Sequence, residues 1–590
     1  MTNQPKITIC KTTPFTDQKP GTSGLRKKVG AFKQPNYVEN FIQAFFSSMD
    51  NIERKTIVVG GDGRYYNNTA IQKIIKLAVA NGIGKILVGQ NGIFSTPAVS
   101  CVIRKTNARG GIVLTASHNA GGADKDFGIK FNNASGAPAS ETLTTRIFEQ
   151  TKIITEYKIC DCADIDLSTL GNTQIGKTLV CIIDPLRDYA ELLSTIFDFD
   201  KIKALFKNGL SMCDNSATTP DKQMPSSYSK LNTCGDITSA LKLNKQKLAV
   251  NGGFSMRYDA MNAVTAPYAK HIFEKVLGAP NGTVLNANTL EDFGGLHPDP
   301  TPTNCSNLVS LMNSNDAPDL AAASDGDGDR NMILGRGVFI SPCDSLAVIA
   351  ANAHLIPQYK NGLLGVARSM PTSTAIDKVA QKLGIKCYEV PTGWKFFGNL
   401  MDAEALTICG EESFGTGSNH VREKDGIWAV LCWLNIIAEK QMPVKQILEE
   451  HWARFGRNYF ARYDYENLDV AQADSIMDVL NKKLTSLRGA KLKAGEVVLA
   501  DNYEYTDPID HSISHNQGIR IVFNDGSRII YRLSGTGTTG ATLRVYLDKY
   551  QADYVNSNSA DNSLLSLALS AIELAHIAQI TGKHKPDNIV

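Results

Sequence analysis

The sequence predicts an α/β fold, with three α/β domains in series on mainly parallel or mixed sheets and a smaller α+β domain at the end. Three observations predict it. Short β-branched runs alternate with segments of helical period, which is the grammar of βαβ units. Three of these runs enter glycine- and acid-rich loops of one kind, a hint of repeated domains. The 590 residues also exceed what one core holds, since cores stop growing near roughly 250–300 residues.

Taken in order, Ile57-Val58-Val59 leads through a loop to a helix expected near 71–81, and Ile86-Leu87-Val88 is the next strand. The pattern returns at Ile112-Val113-Leu114, 179–183, 320–323, 363–366 and Leu406-Thr407-Ile408, each time with a polar or glycine-containing segment after it. The loops of one kind are Gly60-Gly61-Asp62-Gly63-Arg64, 324–330 and Gly410-Glu411-Glu412-Ser413. Ligands of open α/β sheets bind beyond the carboxyl ends of strands, so these loops can converge on one cleft. Residues 207–251, rich in Ser, Thr, Asn and Lys, read as a surface insertion. Near the end, 528–532 alternates and 542–546 reads as a strand; a helix is expected from Leu564, with Ser563 as N-cap and Gly582 as its stop.

Composition excludes several classes. With 61 Lys+Arg against 59 Asp+Glu there is no excess charge to hold a nucleic-acid backbone or an acidic membrane surface. No apolar run reaches membrane-spanning length. The twelve cysteines form no CxxC pair or zinc spacing and read as reduced thiols of a cytoplasmic protein, and the amino terminus has no secretory or transit pattern.

Asp325-Gly326-Asp327-Gly328-Asp329 places three carboxylates at alternate positions on glycine-loosened backbone, suited to one small hard cation, with Mg²⁺ the natural candidate. An EF-hand is excluded, because its twelfth position would be Arg336 where a bidentate Glu is needed. Three carboxylates leave the ion short of six ligands, so an open position remains for water or a phosphate oxygen, and Arg330 could hold another oxygen of the same phosphate. Ser117, at the end of a predicted strand beside His118, is ambiguous by itself; the metal loop's need for a phosphoryl partner raises it. The 532–540 segment is dense in hydroxyls and glycine amides between Arg532 and Arg544 and reads either as a metal-free phosphate nest or as a plain glycine-rich hairpin. The 410–415 loop supplies acceptors for vicinal hydroxyls, and Thr392-Gly393-Trp394-Lys395 adds a second polar turn. Together these describe a substrate gripped at both ends.

Thr115-Ala116-Ser117-His118-Asn119, 325–330, 410–415 and 532–540 occur in the order of the α-D-phosphohexomutase superfamily, which the chain resembles. Gly21-Thr22-Ser23-Gly24-Leu25-Arg26, Asp126-Phe127-Gly128-Ile129-Lys130, 393–402 and Arg422-Glu423-Lys424-Asp425 look like its eukaryotic phosphoglucomutase branch, which includes the parafusin-type proteins.

The resemblance implies four domains around a central cleft, expected at 1–205, 206–345, 346–450 and 451–590. It implies Ser117 as a phosphoserine, and Mg²⁺ held by Asp325, Asp327, Asp329 and a phosphate oxygen on Ser117. Arg26, Lys130 and Arg330 would line the reaction site. His118 and Lys424 would be the proton-transfer candidates, with Lys424 near the substrate. Thr392, Gly393, Glu411 and Ser413 would meet the sugar. Arg532, Ser534, Gly535, Thr536 and Thr539 would hold the distal phosphate.

The activity so implied is a cytoplasmic phosphoglucomutase, a monomer or weak homodimer, acting on small hexose phosphates through glucose 1,6-bisphosphate. Two positions depart from the family pattern: Ala120 follows Ser-His-Asn where proline is usual, and 259–263 reads Asp-Ala-Met-Asn-Ala where Asp-x-Met-His-Gly is usual. Two alternatives accompany the reading, a parafusin-like scaffold in membrane fusion or adhesion and a mutase for another hexose phosphate.

Overall fold

The computed structural model describes residues 5–21, 23–210, 253–534, 540–553 and 560–590. Its first sheet has seven strands in the order Leu25–Lys28, Asp126–Asn132, Gly110–Leu114, Thr56–Gly61, Lys85–Ile93, Thr178–Ile183, Gly171–Ile175. The four strands from Gly110–Leu114 to Thr178–Ile183 are parallel and the outer ones antiparallel. Helices cover both faces, which is why the central strands are continuous apolar runs: Val58 packs into one core, Ile57 and Val59 into another.

The second sheet has five strands, ordered Val284–Leu285, Met256–Asp259, Leu320–Ser324, Asn331–Gly335, Val338–Ile340. Its first three strands are parallel and the rest antiparallel, so the acidic loop 325–330 is the tip of a hairpin. The third sheet has four strands, ordered Cys387–Val390, Val366–Ser369, Ile408–Glu411, Gly415–Ser418. The last is a seven-stranded sheet in which every pairing is antiparallel, from Lys491–Leu492 at one edge through Gly495–Asn502, Ile519–Phe523, Arg528–Ser534, Ala541–Gln551 and Arg457–Leu468 to Asn588–Ile589.

One apolar core runs through the first three units, joining Val99, Ile333 and Val366 around the buried helix Gly426–Lys440 with Trp428 and Trp433. The last sheet has a core of its own, around Tyr459, Ile476 and Leu567. It meets the third unit along a separate apolar seam, where Met370 and Phe396 lie against Tyr505, Ile530 and Tyr546.

Several expected boundaries move. The helix expected near 71–81 is Asn67–Ala80. The third unit's strands begin and end later than their apolar runs, at Val366–Ser369 and Ile408–Glu411, because Arg368 pairs with Gly410 and Glu411 with Gly415. Gly410 and Glu411 are therefore strand, not loop. Ser563 lies inside the helix Ala560–Leu574 and does not cap it. The helix breaks at His576, whose φ of 49° is left-handed, and Gly582 stops a second short helix, Ile577–Thr581. The insertion expected at 207–251 starts late, since Lys207 and Asn208 close the helix Phe199–Asn208, and 211–251 lies outside the described residues.

Candidate active site

The strand Gly110–Leu114 delivers Thr115, Ala116 and Ser117 to the carboxyl edge of the first sheet, where Ser117 adopts φ 52°, a left-handed conformation costly for a residue with a side chain. Its surroundings hold it there. The Ser117 amide donates to Thr115 Oγ1 at 2.7 Å, and that hydroxyl donates to Asp62 Oδ2 at 2.6 Å. Asp62 is paired with Arg64, whose Nη2 donates to the Ser117 carbonyl at 2.7 Å and whose Nη1 donates to the Asp126 carbonyl at 3.0 Å. Both charged residues are wholly buried. The Gly60–Arg64 loop thus stands behind the serine and does not face the cleft, contrary to the expectation that it converges on a ligand.

The Ser117 hydroxyl faces the second unit, donating to Asp325 Oδ2 at 3.0 Å, with His118 Nδ1 3.4 Å away. Gly326 is required at this junction, because a Cβ there would lie 2.4 Å from the Ser117 carbonyl oxygen. Asp325, Asp327 and Asp329 are buried, each with an oxygen within 4.8 Å of the others. Burial, then Asp327 and Asp329, push the Asp325 carboxyl well above the ordinary range, so a divalent cation would relieve the cluster. The donor set fits one: Asp327 Oδ1 and Asp329 Oδ1 are buried without a partner, and an all-oxygen set suits Mg²⁺.

Cations gather around this end from three units. Lys130 pairs with Glu423 at 3.0 Å, Lys424 with Asp329 at 2.9 Å, and Arg330 with Asp299 at 3.1 Å. The Nε atoms of Arg26 and Arg330 are buried with no acceptor, which leaves two guanidinium groups ready for an anion. His118 is pushed well below its ordinary pKa by burial and by Arg330 and Arg26, so its ring is neutral. Burial alone would lower Lys424; Asp329 and Glu411 outweigh it and hold the amine protonated.

All these groups border one cleft of about 590 Å³, except Asp325, which lies behind its wall. Thr392, Gly393, Glu411 and Ser413 line its middle. The Gly393 amide donates to Glu411 Oε1 at 3.0 Å, while Thr392 Oγ1 has no partner. Burial raises the Glu411 carboxyl, with Lys424 opposing. Arg532 and Ser534 line the far end; Gly535, Thr536 and Thr539 lie outside the described residues. The cleft therefore gathers every described candidate, with Asp325 just behind.

The sequence reading missed Asp62, Arg64, Asp299 and Arg462. Arg462 joins Arg532 and Arg544 on adjacent strands lining the cleft and is held by a two-pronged pair to Asp464 at 2.9–3.1 Å. A lone arginine in an alternating strand carries no local signal. Asp62 and Arg64 did carry one, a glycine-rich loop after a strand, but the loop's task is support.

Known proteins match along nearly the whole length. Residues 17–158, 236–337 and 342–455 match the family models for α/β/α domains I, II and III of phosphoglucomutase/phosphomannomutase, and 457–587 matches the phosphoglucomutase-1 C-terminal domain. A phosphoglucomutase of Rhizobium radiobacter is 51% identical, with 98% of this chain and 99% of that one covered. Phosphoglucomutase-1 of Homo sapiens is 47% identical at the same coverage. The crystal structure of the exocytosis-sensitive phosphoprotein pp63/parafusin from Paramecium, in an open form, superposes with a TM-score of 0.86 at 46% identity over 99% of both chains.

Proposed function

The chain belongs to the phosphoglucomutase/phosphomannomutase family, and from that premise we propose that it is a phosphoglucomutase interconverting α-D-glucose 1-phosphate and glucose 6-phosphate through a phosphorylated Ser117 and glucose 1,6-bisphosphate. One observation carries the residue assignment: the Ser117 hydroxyl donates to Asp325 of the aspartate cluster at 3.0 Å, in a cleft that also holds Arg26 and Arg330, whose Nε atoms have no hydrogen-bond acceptor.

In the first half-reaction the sugar O6 attacks the phosphoryl group on Ser117; the bond from phosphorus to Oγ breaks, a bond to O6 forms, and one proton passes from O6 to Oγ. His118, neutral and 3.4 Å from Oγ, can relay that proton. Lys424, held as a cation, offsets charge on the moving group, together with Lys130, Arg26 and Arg330. In the second half Ser117 Oγ attacks the phosphoryl group at C1 and returns its proton by the same path. Between the halves the bisphosphate reverses in the cleft, so the far end must take either phosphate. Arg532 and Ser534 serve there, with Gly535, Thr536 and Thr539 completing the loop in this proposal. Thr392, Gly393, Glu411 and Ser413 meet the sugar hydroxyls in both orientations.

Asp325, Asp327, Asp329 and an oxygen of the phosphorylated Ser117 would hold Mg²⁺, which supplies a Lewis acid against the charge of the transferring group. A monomer or weak homodimer is proposed on the family resemblance. Cytoplasmic action is proposed on the cysteines, unpaired wherever described. No helix among the described residues is long and apolar enough to cross a membrane.

The test is conversion of glucose 1-phosphate with Mg²⁺ and a trace of the bisphosphate. Wild-type protein turns over and carries phosphate on Ser117; Ser117→Ala does neither. Full turnover by Ser117→Ala would remove the serine from the mechanism.

A further inference from the structure

The three aspartates of the acidic loop share a feature that composition does not require: each has one carboxylate oxygen already taken by a protein donor. Asp325 Oδ1 accepts the backbone amides of Asp329 and Arg330, both at 3.0 Å. Asp329 Oδ2 faces the Lys424 amine at 2.9 Å. Asp327 Oδ2 accepts the Thr96 hydroxyl at 2.8 Å. What remains is one oxygen per residue: Asp325 Oδ2, which takes only the Ser117 hydroxyl at 3.0 Å, and the Oδ1 atoms of Asp327 and Asp329, which are buried without partners. The loop offers three single oxygens, not three chelating pairs.

That difference discriminates between cations. Mg²⁺ requires a tight, near-octahedral set of single oxygens, whereas Ca²⁺ takes six to eight ligands and readily accepts both oxygens of one carboxylate. We infer that Thr96 is a selectivity-determining residue of this site: by occupying Asp327 Oδ2 it holds that carboxylate to one-oxygen ligation and so favours Mg²⁺ over Ca²⁺. The inference rests on the magnesium reading of Asp325, Asp327 and Asp329.

Thr96 is built for the task. It is the first residue of the helix Thr96–Thr106, whose start is fixed by Ser95, the cap that accepts the Ala98 amide at 3.3 Å. At that position the backbone amide has no partner in its own helix, and it donates to the Asp327 carbonyl at 3.0 Å. The first unit therefore grips Asp327 twice, by main chain and by side chain. Thr96 is completely buried and does not border the cleft, so its hydroxyl cannot reach substrate. Of the four donors it is also the one that can be removed cleanly. Those on Asp325 are backbone, and that on Asp329 is a charge facing the transfer site.

Thr96→Val removes the hydroxyl at nearly constant volume and keeps the backbone contact. Metal-stripped full-length protein is titrated calorimetrically with Mg²⁺ alone and with Ca²⁺ alone, and thermal unfolding confirms the fold. Loss of a partner that orients a metal ligand costs roughly 10–100-fold in affinity. We expect the Mg²⁺ Kd of Thr96→Val to rise by about tenfold or more on that scale while the Ca²⁺ Kd changes much less. Thr96→Ser should retain the wild-type ratio, and Thr96→Ala should shift it as Val does. Equal weakening for both ions would overturn the inference and reduce Thr96 to a support of the loop; unchanged Kd values would overturn it outright. If wild type and Asp327→Asn both fail to bind Mg²⁺, the metal site itself falls, and the inference with it.

Discussion

The two ends of the cleft are held in different ways. At the serine end three units interlock around the acidic loop. Thr96 of the first unit holds Asp327, the Gly426 amide of the third donates to the Gly328 carbonyl at 3.1 Å, and a single apolar core joins all three. At the arginine end Arg462, Arg532 and Arg544 ride on one antiparallel sheet with its own core. That sheet is tied to the third unit through the apolar seam, through Glu389, which pairs with Arg520 and Arg528, and through Asp548. Asp548 accepts Ser373 Oγ and the Thr374 amide, both at 2.9 Å, and is paired with Arg528, which reaches back to the Thr372 carbonyl at 2.8 Å. Chemistry that needs sub-ångström placement sits where several units constrain each atom. In the proposed scheme, recognition of the phosphate that must be released and recaptured falls to the last unit, which has a core of its own.

The comparison can be broken or sharpened by substitution, starting with the largest effect. Asp327→Asn should lower turnover on the order of a hundredfold to a thousandfold, the cost of losing a preorganised charge at the transfer site. Mg²⁺ affinity should fall in parallel, while unfolding of the last unit should not change. Turnover at the wild-type rate would mean that the serine end does not depend on its cation.

Asp548→Ala removes the nearer of the two carboxylates paired with the buried Arg528, leaving Glu389 at 3.6 Å, a change that costs at most about 3–5 kcal/mol. Calorimetry should then show an early transition of the last unit separating from the remainder, with Mg²⁺ affinity unaltered. A single transition moving as a whole would mean that both ends are held by one cooperative structure.

A smaller loss is expected for Arg532→Ala. Charge-assisted hydrogen bonds contribute roughly 1.5–3 kcal/mol, so kcat/KM should fall by about 10–100-fold with metal affinity intact. An effect on Mg²⁺ binding would contradict the separation of the two ends. The smallest change is Ala120→Pro. The Ala120 amide donates no hydrogen bond among the described residues, so fixing its φ removes none. Steady-state rates should stay within about twofold, as expected where proline is compatible with the backbone. A severe loss would show that this loop follows a path proline cannot take.

Much of the site was legible because its chemistry is local in the chain. Three carboxylates alternating with glycine announce a cation site from their own composition, whereas the serine at a strand end and the hydroxyl- and glycine-rich run between arginines gained a task only beside that loop. The α/β grammar was legible for the same reason, since strands buried on both faces must be apolar throughout. Strand ends were less so: Ile408–Glu411 continues past its apolar run because Gly410 and Glu411 find partners on neighbouring strands, which no local pattern reveals. The break at His576 was equally silent, an ordinary residue placed in a left-handed conformation by its surroundings.

By itself, then, the sequence determined which candidate groups the cleft gathers and the order in which strands and loops present them, because those properties depend on residue type and short spacing. Tertiary structure alone decided how each group is aimed. Arg64 reaches the Ser117 carbonyl across 53 residues, and Thr96 reaches Asp327 across 231. A buried arginine or threonine reads in the sequence like any other. Its partner becomes definite only when folding excludes water and leaves each buried donor one acceptor within reach.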